Sequence, residues 1–176
     1  MRGWLLKRWP ADATEPTMNP EAGLDEGHRV LEPSAGTGVL VDAIHAHNLN
    51  SGYVSDIIAV ELNSTLAHRL AFNSALGAAR VTPGDFLEQN GNLGTFDRVV
   101  MNPPFINGAD IKHIQHALHF LKPGGRLVAL CANGSRQRET LMPLAERSGG
   151  WWEDLPAGTF AEQGTNVNTA LLVIEG

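Results

Sequence analysis

The sequence predicts an α/β fold, a mostly parallel sheet with helices on both faces. Short apolar runs at residues 29–32, 57–61, 80–82, 98–101 and 126–131 alternate with segments of helical period at 38–47, 64–76 and 109–121. Parallel neighbours need a crossover connection, which this alternation provides. The runs are near-continuous in apolar residues, as strands buried on both sides require. After a further helical segment at 136–147 the pattern changes. Residues 151–155 and 169–174 are strand-like and joined by a glycine-containing loop without a helix, so the sheet should close with an antiparallel hairpin.

A chain of 176 residues suits one domain around one core. Its 43% hydrophobic and 18% charged residues exclude a disordered or fibrous protein. Residues 1–28 are rich in Pro, Glu, Asp and Gly without a sustained period, so they read as an irregular arm with one amphipathic turn near residues 4–9. The ordered domain is expected over 29–176. The net charge of -6 gives no general attraction to a phosphate backbone. Basic residues are uneven, however: Arg2, Lys7 and Arg8 crowd the start, and Arg136, Arg138 and Arg147 follow Cys131, which leaves room for a local basic face. The single cysteine, Cys131, lies in an apolar run and reads as a buried strand thiol, which fits a reducing cytoplasm. No apolar run reaches the ~18 residues of a membrane span, and the first ten residues lack the ordered regions of an export signal.

The first apolar run leads through Glu32-Pro33-Ser34-Ala35-Gly36-Thr37-Gly38 into a helix. Gly36 and Gly38 remove side chains where a ligand must approach the backbone, and the helix N-terminus beyond them offers unpaired N–H groups. That is a nucleotide-type cradle, although a purely structural turn would use the same glycines. Glu61 ends the second strand roughly 20 residues later, where a nucleoside site places an acid to accept from both ribose hydroxyls. The alternative for Glu61 is an exposed acid capping the helix that starts near Ser64. Ligands of such sheets collect at the carboxyl ends of the strands, so Gly84-Asp85-Phe86 should line the same crevice. Asp85 would accept from an adenine amino group, or serve the turn, and Phe86 would lie against the ring.

The decisive element is Met101-Asn102-Pro103-Pro104-Phe105. Two prolines at the end of a buried strand fix the backbone and hold its carbonyls rigidly. Asn102 adds an amide oxygen. An amino group on an aromatic ring is a poor nucleophile because its lone pair is delocalised. Acceptors on its two hydrogens draw it toward tetrahedral geometry and aim that lone pair at an electrophile, while Phe105 supplies a face for an extruded base. In the helix of 109–121, Ile111, Ile114, Leu118 and Leu121 form a core stripe. His113, His116 and His119 recur at spacings of three, which suits a solvated polar face better than zinc, whose paired helical histidines stand four apart.

On these residues the chain resembles the class I S-adenosylmethionine-dependent methyltransferases, and among them the amino methyltransferases with an Asn-Pro-Pro-aromatic motif. The glycine loop, Glu61, Gly84-Asp85-Phe86, Asn102-Pro103-Pro104-Phe105 and the turn Lys122-Pro123-Gly124-Gly125 fall in the family's order, from about residue 29 to 175. The resemblance implies a Rossmann-like sheet of seven strands with an antiparallel last strand, and S-adenosyl-L-methionine as cofactor. It implies that Glu32 holds the methionine amino end, and that Pro33, Ala35, Gly36 and Gly38 pass close to the cofactor. Glu61 and Leu62 would meet the ribose region, Asp85 and Phe86 the adenine. Asn102, which also borders the cofactor, would hold the acceptor together with Pro103, Pro104 and Phe105.

Many DNA adenine-N6 methyltransferases have this motif order with phenylalanine in the fourth position, and the pattern also resembles small methyltransferases of bacteriophages. Adenine N6 in DNA is therefore the expected acceptor. The alternatives are guanine N2 in RNA, a glutamine amide, a small molecule, or a non-catalytic cofactor- or partner-binding protein, for which the intact acceptor motif is unfavourable. Two departures stand out. Residues 16–27 are too short and too rich in breakers for the family's cofactor-covering helix, and the residues after the hairpin are not expected to supply a target-recognition domain. Sequence-specific reading would then need a partner subunit, or specificity is low, and a homodimer is the expected cover for the cofactor site. The reaction expected is direct in-line displacement without a metal or a general base.

Overall fold

The computed structural model describes residues 22–73, 79–158 and 167–176. Among them seven strands form one sheet: β1 (Arg29–Glu32), β2 (Asp56–Glu61), β3 (Ala79–Pro83), β4 (Phe96–Met101), β5 (Leu121–Ala132), β6 (Trp151–Asp154) and β7 (Thr169–Glu175). The order is β3-β2-β1-β4-β5-β7-β6. The first five strands pair in parallel, and β7 runs antiparallel to both β5 and β6. The expected mostly parallel seven-stranded sheet with an antiparallel last strand is the fold observed. The hairpin does not simply extend the edge: β7, buried from Thr169 to Ile174, lies inside the sheet and leaves the amphipathic β6 outermost.

Among the described residues four α-helices, α1 (Val39–Ser51), α2 (Ser64–Asn73), α3 (Ala109–Ala117) and α4 (Ser135–Ser148), cover the sheet. Successive strand residues point to opposite faces. Leu31, Ile58, Val60, Val99 and Met101 pack with Ile111 and Ile114 of α3 and Leu141 and Ala145 of α4. Their neighbours Val30, Ile57, Ala59 and Val100 pack with Leu40, Val41 and Ile44 of α1. Two filled faces explain why the strands read as continuous apolar runs. Cys131 belongs to the first cluster at 0% exposure, as expected of a strand thiol, and burial pushes its pKa up.

Some boundaries differ from the sequence reading. β5 begins at Leu121, and its pairing jumps from Phe96↔Leu121 to Arg98↔Arg126, so that Lys122–Gly125 bulge out of the ladder. Gly125 has no room for a side chain there, since a Cβ would stand 2.9 Å from Lys122 O and 3.1 Å from Phe96 O. α3 stops at Ala117 and tightens into a 3-10 turn over Leu118–Phe120. Packing also begins before Arg29: Ala22 and Leu24 are in the core, and Arg98 Nε donates to Gly23 O at 2.8 Å. The rest of the expected arm, with its turn near residues 4–9, and residues 74–76 of the second helical segment lie outside the described residues. No helix among the described residues is long and apolar enough to cross a membrane.

Candidate active site

The parallel topology brings the loops after β1, β2, β3 and β4 to one edge of the sheet, where open α/β sheets bind ligands. The glycine turn after β1 has positive φ at Gly36 (54°) and Gly38 (86°), a region that favours glycine. A Cβ on Gly36 would meet nothing within 4 Å, so the backbone there faces open space, whereas one on Gly38 would run into Leu70 Cδ1. Gly36 opens the site, and Gly38 lets α1 pack on α2. A cavity of about 290 Å³ beside this turn is lined by Gly36, Thr37 and Asp42 on one side and Leu66, Arg69 and Leu70 of α2 on the other.

Glu61 organises the next two strand ends. Its Oε2 accepts from Gly36 N at 2.6 Å and its Oε1 from Asn63 N at 2.7 Å, while its backbone oxygen accepts from Gly84 N at 2.9 Å. It does not cap α2. Asn63 does that, its Oδ1 accepting from Thr65 N and Leu66 N. A carboxylate has about four acceptor sites, so two engaged oxygens retain capacity for two ribose hydroxyls. Leu62 beside it is an apolar side chain left 71% exposed.

Glu32 lies beneath the glycine turn at 2% exposure, and its Oε2 has no hydrogen-bond partner. Burial raises its pKa to about 8; the Val41 N–H opposes that rise and the charge of Glu61 adds to it. A buried carboxyl with one unmet oxygen suits an ammonium ligand. Together with the open backbone at Gly36 and the capacity of Glu61, it makes the residues present fit an aminoacyl nucleoside. Pro33 and Ala35 are buried and build the turn, which Ala35 N ties to Val60 O at 3.0 Å.

The loop after β3 departs from expectation. Asp85 caps the 3-10 turn Phe86–Glu88 by accepting from Leu87 N at 2.9 Å, which is the turn role. Phe86 is 2% exposed and its ring packs against Phe120 (5.5 Å), His116 (4.9 Å) and His113 (5.9 Å). The face expected to meet adenine is thus covered by core, because the ring turns inward onto α3. The histidine spacing is likewise no solvated face. His119 is exposed, but His113 and His116 are half-buried, His113 beside Ser34 of the glycine turn and His116 against Gln89 in the loop after β3. Among the described residues no group of three His, Cys, Asp or Glu is placed to hold a metal.

At the end of β4, Asn102 is half-buried, Pro103 buried, Pro104 exposed, and Phe105 half-buried with its ring against the α1-side core. A 3-10 turn, Ile106–Gly108, follows, with Asn107 in the left-handed region (φ 54°) and Ile106 72% exposed. Sequence reasoning missed the group that anchors this loop. Asp110, at 0% exposure in the first turn of α3, accepts from Ala132 N at 2.9 Å, from Ile111 N at 3.0 Å and from Gln137 Nε2 at 3.1 Å on both oxygens. It clamps the start of α3 to the end of β5 and to α4. An acid in a first helical turn was the only signal, and it did not disclose burial.

This sheet order is the Rossmann-like fold of the class I methyltransferases. A family model, the methyltransferase small domain, matches residues 17–147, and the chain belongs to that family. Family and fold imply S-adenosyl-L-methionine as cofactor. Solved structures of the same fold include a Listeria monocytogenes protein assigned to the class I S-adenosylmethionine-dependent methyltransferases. Its TM-score is 0.69 at 18% identity, over 88% of this chain and 55% of that one. TrmN from Thermus thermophilus gives 0.61 at 23% identity, over 88% and 45%. A Pyrococcus horikoshii protein assigned as an RNA methyltransferase gives 0.62 at 21%, over 85% and 76%. The chain therefore spans about half the length of the first two. No curated protein matches it.

Proposed function

We propose that this domain transfers a methyl group to a planar amino group held by Asn102, Pro103, Pro104 and Phe105, with adenine N6 in DNA as the leading acceptor. The observation that carries the reading is the position of Asn102. It directly follows Met101, the last residue of β4, and β4 is the strand next to β1, so the acceptor loop leaves the same edge of the sheet as the glycine turn. The carboxamide and the proline-fixed carbonyls suit the two hydrogens of an amino group on an aromatic ring, and the half-buried ring of Phe105 suits a base lifted from its stack.

The cofactor, once bound, supplies an electrophilic methyl on sulfur. Glu32, Gly36 and Glu61 would hold its amino end, backbone contact and ribose, leaving Asn102 to orient the nucleophile. With the cofactor bound, an N–C bond would form as the S–C bond broke and the thioether left, and the amine, then cationic, would give its extra proton to solvent. No base is required. Positioning and fixed acceptors are the expected source of rate.

Guanine N2 in RNA is the second reading. It presents the same planar amino chemistry, and an RNA methyltransferase assignment stands among the structures that share the fold. A net charge of -6 disfavours unaided binding of either polymer, so a specificity partner or a homodimer belongs to the proposal. The test is transfer of labelled methyl from S-adenosylmethionine to unmethylated DNA, RNA and protein, followed by identification of the modified nucleoside or residue. N6-methyladenine in DNA is the expected product. Label only in a protein side chain or a small molecule would overturn the nucleobase reading.

A further inference from the structure

α3 begins four residues after Phe105 and runs under both cofactor loops. His113 Nδ1 stands 3.4 Å from Ser34 Oγ in the glycine turn. One helical turn on, His116 Nε2 donates to Gln89 O at 3.1 Å, and Gln89 Nε2 donates to Asp85 O at 3.1 Å. Both imidazoles pack on Phe86, between these two attachments. One face of a short helix therefore braces the turn after β1 and the turn after β3, which must stay a fixed distance apart if one ligand is to touch both.

We propose that His113 is a positioning residue for the cofactor, holding the glycine turn through the Ser34 hydroxyl while its ring seats the Asp85–Phe86 turn. The inference rests on the reading that the crevice binds S-adenosylmethionine. Without the Ser34 contact, part of the glycine turn must be ordered by the ligand itself, and that entropy is taken from affinity. Burial favours a neutral imidazole at this position, reinforced by His116 and opposed by Asp85 and Asp110. A neutral ring offers one donor and one acceptor, either of which can meet a hydroxyl.

The test is calorimetric titration of the whole chain with S-adenosylmethionine, for wild type, His113→Phe, His113→Asn, Ser34→Ala and the double variant His113→Phe with Ser34→Ala. Phe keeps a ring against Phe86 but loses the hydrogen bond, so His113→Phe and Ser34→Ala should each weaken binding about five- to tenfold. The double variant should be no weaker than either single one, because both remove the same bond. Asn sets an amide near the position of Nδ1 and should restore affinity to within about twofold of wild type. Wild-type affinity in both single variants, additive losses in the double, or an Asn variant no better than Phe would each overturn the proposal. Should His113→Phe fail to fold, Ser34→Ala decides alone. Failure of every acceptor to take up methyl would defeat the proposed acceptor and leave this inference standing, whereas a wild-type chain that binds no cofactor would remove it together with its premise.

Discussion

Glu61 Oε2 accepts the Gly36 N–H at 2.6 Å, so the acid expected to meet the ribose also holds the glycine turn closed against β2. The same carboxylate accepts from Asn63 N. Glu61→Gln keeps the size but turns one oxygen into a donor facing an N–H. Hydrogen bonds to a charged group contribute about 1.5–3 kcal/mol, so the affinity for S-adenosylmethionine should fall at least about tenfold. The denaturation midpoint should fall with it. Calorimetry and a urea titration measure the two, and an unchanged dissociation constant would remove Glu61 from the cofactor site.

Glu32 makes the stability of the unliganded protein depend on pH. Burial above all pushes its carboxyl up to about 8 in the folded state, from an ordinary value of 4.5. Between those two values the folded protein keeps a proton that the unfolded chain releases. The associated stability is fully present below the unfolded value and is lost as pH rises through the folded one. Melting temperature should therefore decline more steeply from about pH 5 to about pH 8 in wild type than in Glu32→Gln, and the difference in slope should fade above that. Parallel curves would sink the prediction. Cofactor that ionises Glu32 on binding should also expel this proton, making the heat of binding near pH 7 vary with the buffer's ionisation enthalpy.

Removing Asp110 leaves the N–H groups of Ala132 and Ile111 and the amide of Gln137 without their acceptor. Leaving buried donors unsatisfied costs about 1–3 kcal/mol each, so Asp110→Ala should lose on the order of 3 kcal/mol in chemical denaturation. Asp110→Asn, which retains one acceptor oxygen, should lose less. Equal stabilities would mean that the clamp carries no net energy.

Gly38→Ala meets two obstacles, a positive φ of 86° and the methyl of Leu70. A cost of about 2–3 kcal/mol is expected from strain and overpacking. Combining it with Leu70→Ala relieves the collision and leaves the dihedral penalty, so in a thermodynamic cycle the two substitutions should cost less together than the sum of their separate effects. Strict additivity would show that Leu70 is not the obstacle.

Asn102→Ala should leave S-adenosylmethionine affinity within about twofold while abolishing turnover on whichever acceptor the labelling experiment identifies, since an orienting group acts on the reacting nitrogen and not on the cofactor. Turnover comparable with wild type would end the assignment of Asn102.

What the amino-acid sequence determined by itself is local in origin. Apolar periodicity set the order of strands and helices, because each element declares its period within a few residues. The glycine turn, Glu61 and Asn102 to Phe105 were legible at strand ends for the same reason: in a parallel sheet every such end falls on one edge. Tertiary structure decided the rest. Phe86 turned its ring into the core, because α3 and the 3-10 turn after it, far along the chain, bring His113, His116 and Phe120 against it. β7 took an interior place between β5 and β6, a choice of pairing partner that no local pattern records. Asp110 found Ala132 and Gln137 across 22 and 27 residues, and became a buried anchor where its neighbours in sequence showed only an acid at the start of a helix. A side chain's burial and its partners depend on which distant segment packs over it, and so they come into being only when the chain closes.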